Sequence, residues 1–302
     1  MSSSFLPRRA FAALPALWLV AHGLVAAQAP TVSDDYTPKV GQVGKDVIWV
    51  PTPEALVESM LQMASVGPED YVIDLGSGDG RTVIAAAEKF GARGLGIEYD
   101  RKLVAFSIRK AEEAGVADKV KFVEADIFET DFSEATVLTM YLLPSLNLKL
   151  RHKILEMAPG TRVVSHSFDM AEWRADQSVT VEGRTAYLWV VPAKVAGDWR
   201  LTLPTEGSER TWTLSLEQEF QILSGQVHLP DGWFAVFDGL IRGTELRFRV
   251  IDANDNRREI SGRGFDDRME GTIQNPDGTS VSWSAVRESN RSGADLDIAA
   301  AR

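Results

Sequence analysis

The strand-length apolar run Tyr71–Leu75 breaks through a glycine-rich turn, Gly76-Ser77-Gly78-Asp79-Gly80-Arg81, into a segment of helical periodicity over 82–90. No other feature of the 302 residues constrains the fold as much. Glycines let the backbone turn tightly with positive φ, and a ligand can then approach it near a helix N-terminus. The alternation continues along the chain. Residues 94–98 read as a second strand and 101–114 as a helix with apolar Leu103, Val104, Phe106, Ile108 and Ala111, ended by Gly115. Val120–Glu124 reads as a third strand and 135–142 as a fourth. A helix over 146–157 stops at Pro159-Gly160, 162–165 opens a fifth strand, and 187–191 closes the series. Ahead of them a helix is expected from Pro53, with Leu56, Met60, Leu61, Met63 and Ala64 on one side. Strands alternating with helices of this length predict an α/β fold, a Rossmann-like, doubly wound sheet covered on both faces.

After Pro192 the pattern changes to short alternating segments punctuated by Gly225, Gly243, Gly262 and Gly271: 212–216, 219–223, 233–237, 245–251, 258–260, 271–274 and 281–286. This spacing predicts a small antiparallel β meander or barrel. The expected organisation is a linker or arm over 30–45, an α/β domain over 46–196, a β domain over 197–288 and a disordered tail over 289–302. Trp189, Trp199, Trp212, Trp233 and Trp283 are expected in the core of the second domain. The run Asp252-Ala253-Asn254-Asp255-Asn256 lacks the glycine and glutamate of a calcium-binding loop and reads as a hairpin turn.

Residues 1–29 read as an export signal. Arg8 and Arg9 precede an apolar run over 10–27, with small residues suited to cleavage after Ala27 or Ala29. Arg8-Arg9-Ala10-Phe11 resembles a twin-arginine leader, and the expectation is a periplasmic protein, or a membrane-anchored one if the leader stays on. The net charge of −11 argues against a general nucleic-acid binder. With no cysteine and only His22, His152, His166 and His228, no metal site is expected.

Glu98 follows Gly76 by 22 residues, where a carboxylate can accept both hydroxyls of a ribose. A dinucleotide fingerprint would need G-x-G-x-x-G to seat a pyrophosphate on the helix. This chain has G-x-G-x-G preceded by Asp74. Asp74 and Asp79 repel a pyrophosphate but suit the ammonium and sulfonium of S-adenosyl-L-methionine.

The stretch 74–81 resembles motif I of the class I, seven-β-strand S-adenosylmethionine-dependent methyltransferases. Gly96-Ile97-Glu98 resembles their ribose-binding strand end, and Glu124-Ala125-Asp126-Ile127 their adenine-binding motif. More narrowly, Val50-Pro51-Thr52-Pro53, the form of motif I and Tyr141-Leu142-Leu143-Pro144 resemble bacterial relatives of the mitochondrial lysine methyltransferases that modify the ATP synthase c-subunit and the adenine nucleotide translocase. The resemblance covers about residues 44–195. It implies a mostly parallel seven-stranded sheet and S-adenosyl-L-methionine as cofactor. It implies Gly76, Ser77 and Gly78 along the methionine part, Asp74 near its ammonium and Glu98 on the ribose. Tyr99 is then expected to pack on the adenine, with Asp126 and Ile127 at its edge. Thr52 resembles the family's N-terminal lid, or else simply caps a helix.

Methyl transfer from a sulfonium is an in-line displacement, so the protein mainly aligns the acceptor and excludes water. Tyr141 is the candidate catalytic residue, orienting an amine through its hydroxyl or ring; packing against the sheet edge is the other reading. His166 and Asp169 are candidates for a base or substrate contacts, or are ordinary loop residues. The function expected is N-methylation of a protein lysine. The alternatives are a small-molecule acceptor, which predicts a pocket capped by the β domain, or a non-catalytic nucleoside-binding protein. No nucleic-acid partner and no stable membrane span are expected unless the leader is retained.

Overall fold

The computed structural model describes residues 36–205 and 208–289. The export signal expected over 1–29 lies outside the described residues, as does the tail expected over 289–302, apart from Ser289. None of the described helices is long and apolar enough to cross a membrane.

An irregular arm over 36–52, closed on itself by a bridge between Val43 and Ile48, leads into α1 (Glu54–Met63). Then follow β1 (Tyr71–Leu75), α2 (Arg81–Phe90), β2 (Arg93–Glu98), α3 (Arg101–Glu113), β3 (Val120–Glu124), β4 (Val137–Met140), α4 (Pro144–Leu155), β5 (Arg162–His166), β6 (Gln177–Val181) and β7 (Arg184–Val190). The sheet is seven-stranded in the order β3-β2-β1-β4-β5-β7-β6. Strands β1 to β5 pair in parallel, and β7 runs antiparallel between β5 and β6. The strand order reverses between β1 and β4, which opens a crevice at their carboxyl ends.

Alternation along each strand feeds two apolar layers. Val72, Val137 and Val164 pack under Leu56, Val57, Met60 and Leu61 of α1. Ile73, Leu75, Leu138, Met140 and Val163 face the other way, onto Leu150 and Ile154 of α4. A doubly wound sheet is therefore what the sequence pattern predicts and what forms.

The second part is a closed antiparallel barrel: β8 (Gly197–Thr205), β9 (Ser208–Glu219), β10 (Ile222–Leu229), β11 (Gly232–Arg242), β12 (Glu245–Ile251), β13 (Arg257–Phe265), β14 (Arg268–Gln274) and β15 (Ser280–Ser289). Trp199, Leu214, Leu216, Ile241, Phe248, Ile260 and Trp283 fill it from alternate positions. Pairing of β9 with β10 and of β15 with β8 closes the ring, so none of the described barrel strands is left as an open edge.

Local departures from the sequence expectation have physical causes. The single strand expected over 219–223 is instead split by the two-residue β9–β10 hairpin turn at 220 and 221: Phe220 has φ of 52°, and its ring leaves the barrel to stack on Trp173 at 6.1 Å. Strands β6 and β8 escape a reading by apolar runs, because β6 is an exposed edge and β8 carries polar residues on its outer face. The fourth strand stops at Met140, and α4 begins at Pro144, whose fixed φ suits the first helical position. Trp189 lies in the core under the sheet, not in the barrel, and Trp233 is exposed beside His228. The 252–256 run is a turn: Asp252 accepts from the amides of Asn254 and Asn256 and pairs with Arg258.

Candidate active site

A cavity of about 510 Å³ lies over the carboxyl ends of β1, β2 and β4. Thr52, Asp74, Gly76, Ser77, Gly78, Glu98, Tyr99, Asp126 and Ile127, expected from the sequence to hold the cofactor, and Tyr141, the candidate catalytic residue, line it. The arm forms a further wall, with Lys45, Ile48 and Trp49, and Leu142, Leu143, Leu146 and Phe168 line the end beside Tyr141.

The glycine turn is bound to its surroundings through backbone groups. Gly76, Gly78 and Gly80 have φ of 74°, 55° and 79°. The amides of Gly76 and Ser77 donate to the carbonyl of Ile97 at 2.9 and 3.0 Å. The Gly78 amide donates to Glu98 Oε2 at 2.9 Å, and the Asp100 amide to Oε1 at 2.8 Å. Ser107 Oγ, from α3, donates to the Gly78 carbonyl at 3.0 Å. A side chain at position 78 would collide with the indole of Trp49. Glycine is required there twice, by backbone conformation and by the approach of the arm.

The acids of the site are not equivalent. Asp74 is buried, accepts from Thr139 Oγ1 at 2.7 Å, and has its pKa raised to about 7 by burial, with Glu98 and Asp79 adding to the shift. Burial also raises Glu98. A carboxylate so placed gains most from a cation brought beside it. The Ser77 hydroxyl is buried with no hydrogen-bond partner among the described residues. A cationic amino acid joined to a nucleoside fits this floor. Asp79, expected to act with Asp74, instead forks onto Arg81, with Nε at 2.9 Å from Oδ1 and Nη2 at 2.6 Å from Oδ2. Its charge is thereby balanced within motif I. Arg81 Nη1 also donates to the Thr52 carbonyl at 2.9 Å, tying the arm to motif I. Asp126 accepts from the Phe128 amide at 2.9 Å and pairs with Lys45, which holds its carboxyl below the usual range. The Lys45 ammonium lies 5.0 Å from the centre of the Tyr99 ring. Among the described residues no group of three or more His, Asp or Glu is placed to hold a metal ion.

At the other end of the cavity Tyr141 packs between two rings, His166 at 3.8 Å and Phe168 at 6.2 Å between centroids. Phe168 is set by a tight turn in which Ser167 has φ of 66° and the Phe168 amide donates to the His166 carbonyl at 2.8 Å. His166 is buried below Tyr141 and is not part of the cavity lining. Asp169 is exposed and accepts from the Ala171 amide at 3.2 Å, so neither residue presents a group to the cavity. Lys45, Trp49, Ser107 and Phe168 are site residues that sequence reasoning missed. The arm carries no periodicity, and a single serine inside a helix gives no signal.

Comparison with known proteins agrees with this site. The family model described as the ANTKMT methyltransferase domain matches residues 74–177. A protein-lysine N-methyltransferase of Saccharolobus islandicus (strain REY15A) is 41% identical over 151 residues, covering 48% of this chain and 94% of that protein. The ATP synthase c-subunit lysine N-methyltransferase of Mus musculus is 34% identical over 138 residues, 45% of this chain and 54% of its own length. A crystal structure described as an RNA methyltransferase from Salinibacter ruber in complex with S-adenosyl-L-homocysteine shares 54% sequence identity, covers 48% of this chain and 96% of that chain, and superposes with a TM-score of 0.48. The residues that build the floor of the cavity are those matched by the family model, and the archaeal relative is spanned almost end to end. The chain belongs to the family of the ANTKMT methyltransferase domain and is an S-adenosyl-L-methionine-dependent methyltransferase.

Proposed function

We propose that the chain methylates the ε-amine of a protein lysine. One observation carries the choice of acceptor. None of the described barrel residues lines the cavity, whose lining residues run from 42 to 168. Beside Tyr141 the wall is Leu143, 44% exposed, so this end stays open to a chain laid across it. A small acceptor would call for a cap here. The name of the archaeal relative, a protein-lysine N-methyltransferase, supports the same reading.

S-adenosyl-L-methionine supplies a methyl already activated on a sulfonium. In this reading Asp74 holds the ammonium, Gly76, Ser77 and Gly78 line the methionine part, and Glu98 takes the ribose through the acceptor positions its two amide bonds leave. Asp126 and Ile127 meet the adenine edge and Tyr99 its face, Thr52 and Trp49 cover the site from the arm, and Tyr141 orients the incoming amine. Lys45 leaves Asp126 or shares it when the adenine is seated, because a carboxylate oxygen accepts more than one hydrogen bond. The apolar walls of Leu142, Leu143 and Leu146 keep water from the line of attack. The proton of the lysine ammonium leaves to solvent through the open end. We also propose that the chain is exported, on the support of Arg8-Arg9 and the apolar run over 10–27 alone.

The test is transfer of labelled methyl from S-adenosyl-L-methionine to poly-L-lysine, to extract protein and to purified RNA, followed by acid hydrolysis. Label in N-methyl-lysine is the expected outcome. Label in RNA or in the low-molecular-weight fraction contradicts the acceptor, and tight donor binding without transfer points to a binding protein. Recovery of a mature N-terminus near residue 28 from a periplasmic fraction checks export.

A further inference from the structure

His166 is a buried titratable group beside the cavity that the proposed reaction leaves unused. Its ring is 1% exposed at the end of β5. Nδ1 lies 3.0 Å from Thr52 Oγ1, across 114 positions of sequence. Nε2 is buried with no partner among the described residues. Leaving a ring nitrogen unpaired in the interior costs stability, which an apolar residue would avoid if packing were all that this position needed. What the imidazole provides and an apolar side chain does not is the bond to Thr52.

That bond completes a chain of contacts. Arg81, forked onto Asp79 in motif I, donates to the Thr52 carbonyl, and His166 takes the Thr52 hydroxyl. Thr52 is thus gripped by backbone and side chain at the point where the arm passes into α1. The Tyr141 ring lies 3.8 Å from that of His166, tilted by 33°, and fixes the imidazole plane from the cavity side. Thr52 from the arm meets Nδ1, Tyr141 beyond β4 packs on the ring, and Arg184 of β7 acts on it through its charge. Burial, with Arg184 adding, pushes its pKa down to about 4, so at neutral pH it is a poor store for a proton taken from an amine.

We propose that His166 is a positioning residue: through Thr52 it pins the arm against motif I, and so holds the wall over the methyl donor. This rests on reading the cavity as the donor site. It assigns His166 neither to the acceptor nor to proton transfer, the two functional roles for which the sequence makes it a candidate beside that of an ordinary loop residue.

The test is a double-mutant cycle read by calorimetric titration with S-adenosyl-L-methionine and S-adenosyl-L-homocysteine. Thr52→Val removes the bond at nearly constant volume; His166→Ala removes it from the other side. Each is expected to weaken donor binding about tenfold, the worth of one buried hydrogen bond, and the double variant to be no weaker than either alone. His166→Asn, whose amide oxygen can stand near Nδ1, is expected to restore the affinity to within about threefold. Additive losses, or a Thr52→Val protein that binds like the parent, overturn the proposal; the latter decides even if His166→Ala fails to fold. A His166→Asn protein that binds donor normally but loses transfer to poly-L-lysine, together with the acidic limb of its pH profile, reassigns the imidazole to proton transfer and also overturns it. No donor binding by the parent protein sinks the donor-site reading itself, a different result from normal binding by parent and variants alike.

Discussion

Asp74 sits where ligand binding and stability conflict. Its carboxyl is buried, and its pKa stands at about 7 against 3.8 in an unfolded chain. Between those values the folded state keeps a proton that the unfolded state has lost, so stability falls as pH rises through this window and the full cost is present above pH 7. His166, lowered to about 4, acts in the opposite sense, so the effect is read as a difference between variant and parent. Asp74→Asn is expected to melt higher than the parent at pH 8, by on the order of 2 kcal/mol of stability. The gap should close as pH falls toward 4. A constant gap in thermal melts from pH 4 to 8 would show that Asp74 is ionised throughout. Gly78 gives a second prediction at this scale. With φ of 55° and the Trp49 indole against it, Gly78→Ala should weaken donor binding by tenfold or more in calorimetry. Unchanged affinity would mean that the arm does not press on the turn.

At the scale of elements, the strands and helices that build the floor of the site were legible because each has a simple signal. Tyr71–Leu75 is a strand-length run that is apolar except for Asp74, the 76–80 turn is marked by glycines, and α3 repeats its apolar residues at helical spacing. The arm over 36–52 was not legible. It has no period, and its structure comes from long-range contacts: Lys45 with Asp126, Trp49 with Gly78, Thr52 with His166. Strand β6 was missed for a related reason, since an exposed edge strand needs no apolar face. Phe220 misled because an aromatic residue beside alternating neighbours reads as strand, whereas it serves a turn and a contact outside the barrel. The arm predicts its own test. Trp49→Ala should weaken S-adenosyl-L-methionine binding about tenfold while lowering the melting temperature little, because the indole covers a cavity rather than filling a core. A large drop in stability with normal binding would make Trp49 structural.

For the whole molecule, the sheet and barrel meet through Phe220, which joins the core under the sheet against Trp173, and through Gln221, which donates to the Arg174 carbonyl at 2.7 Å. None of these residues lines the cavity. Phe220→Ala should therefore cost about 3–5 kcal/mol of stability, as for other buried aromatics, and leave the donor dissociation constant at 25 °C within twofold. A change in both would show that the barrel reaches the site.

The central claim is that the cavity over β1 and β2 seats S-adenosyl-L-methionine through Asp74 and Glu98. Its most direct test is calorimetric titration of the protein from residue 28 onward with S-adenosyl-L-methionine and, separately, NAD, alongside Asp74→Ala and Glu98→Ala. The expected result is micromolar binding of S-adenosyl-L-methionine alone, lost in both variants. Binding that survives both substitutions, or a preference for NAD, would contradict it.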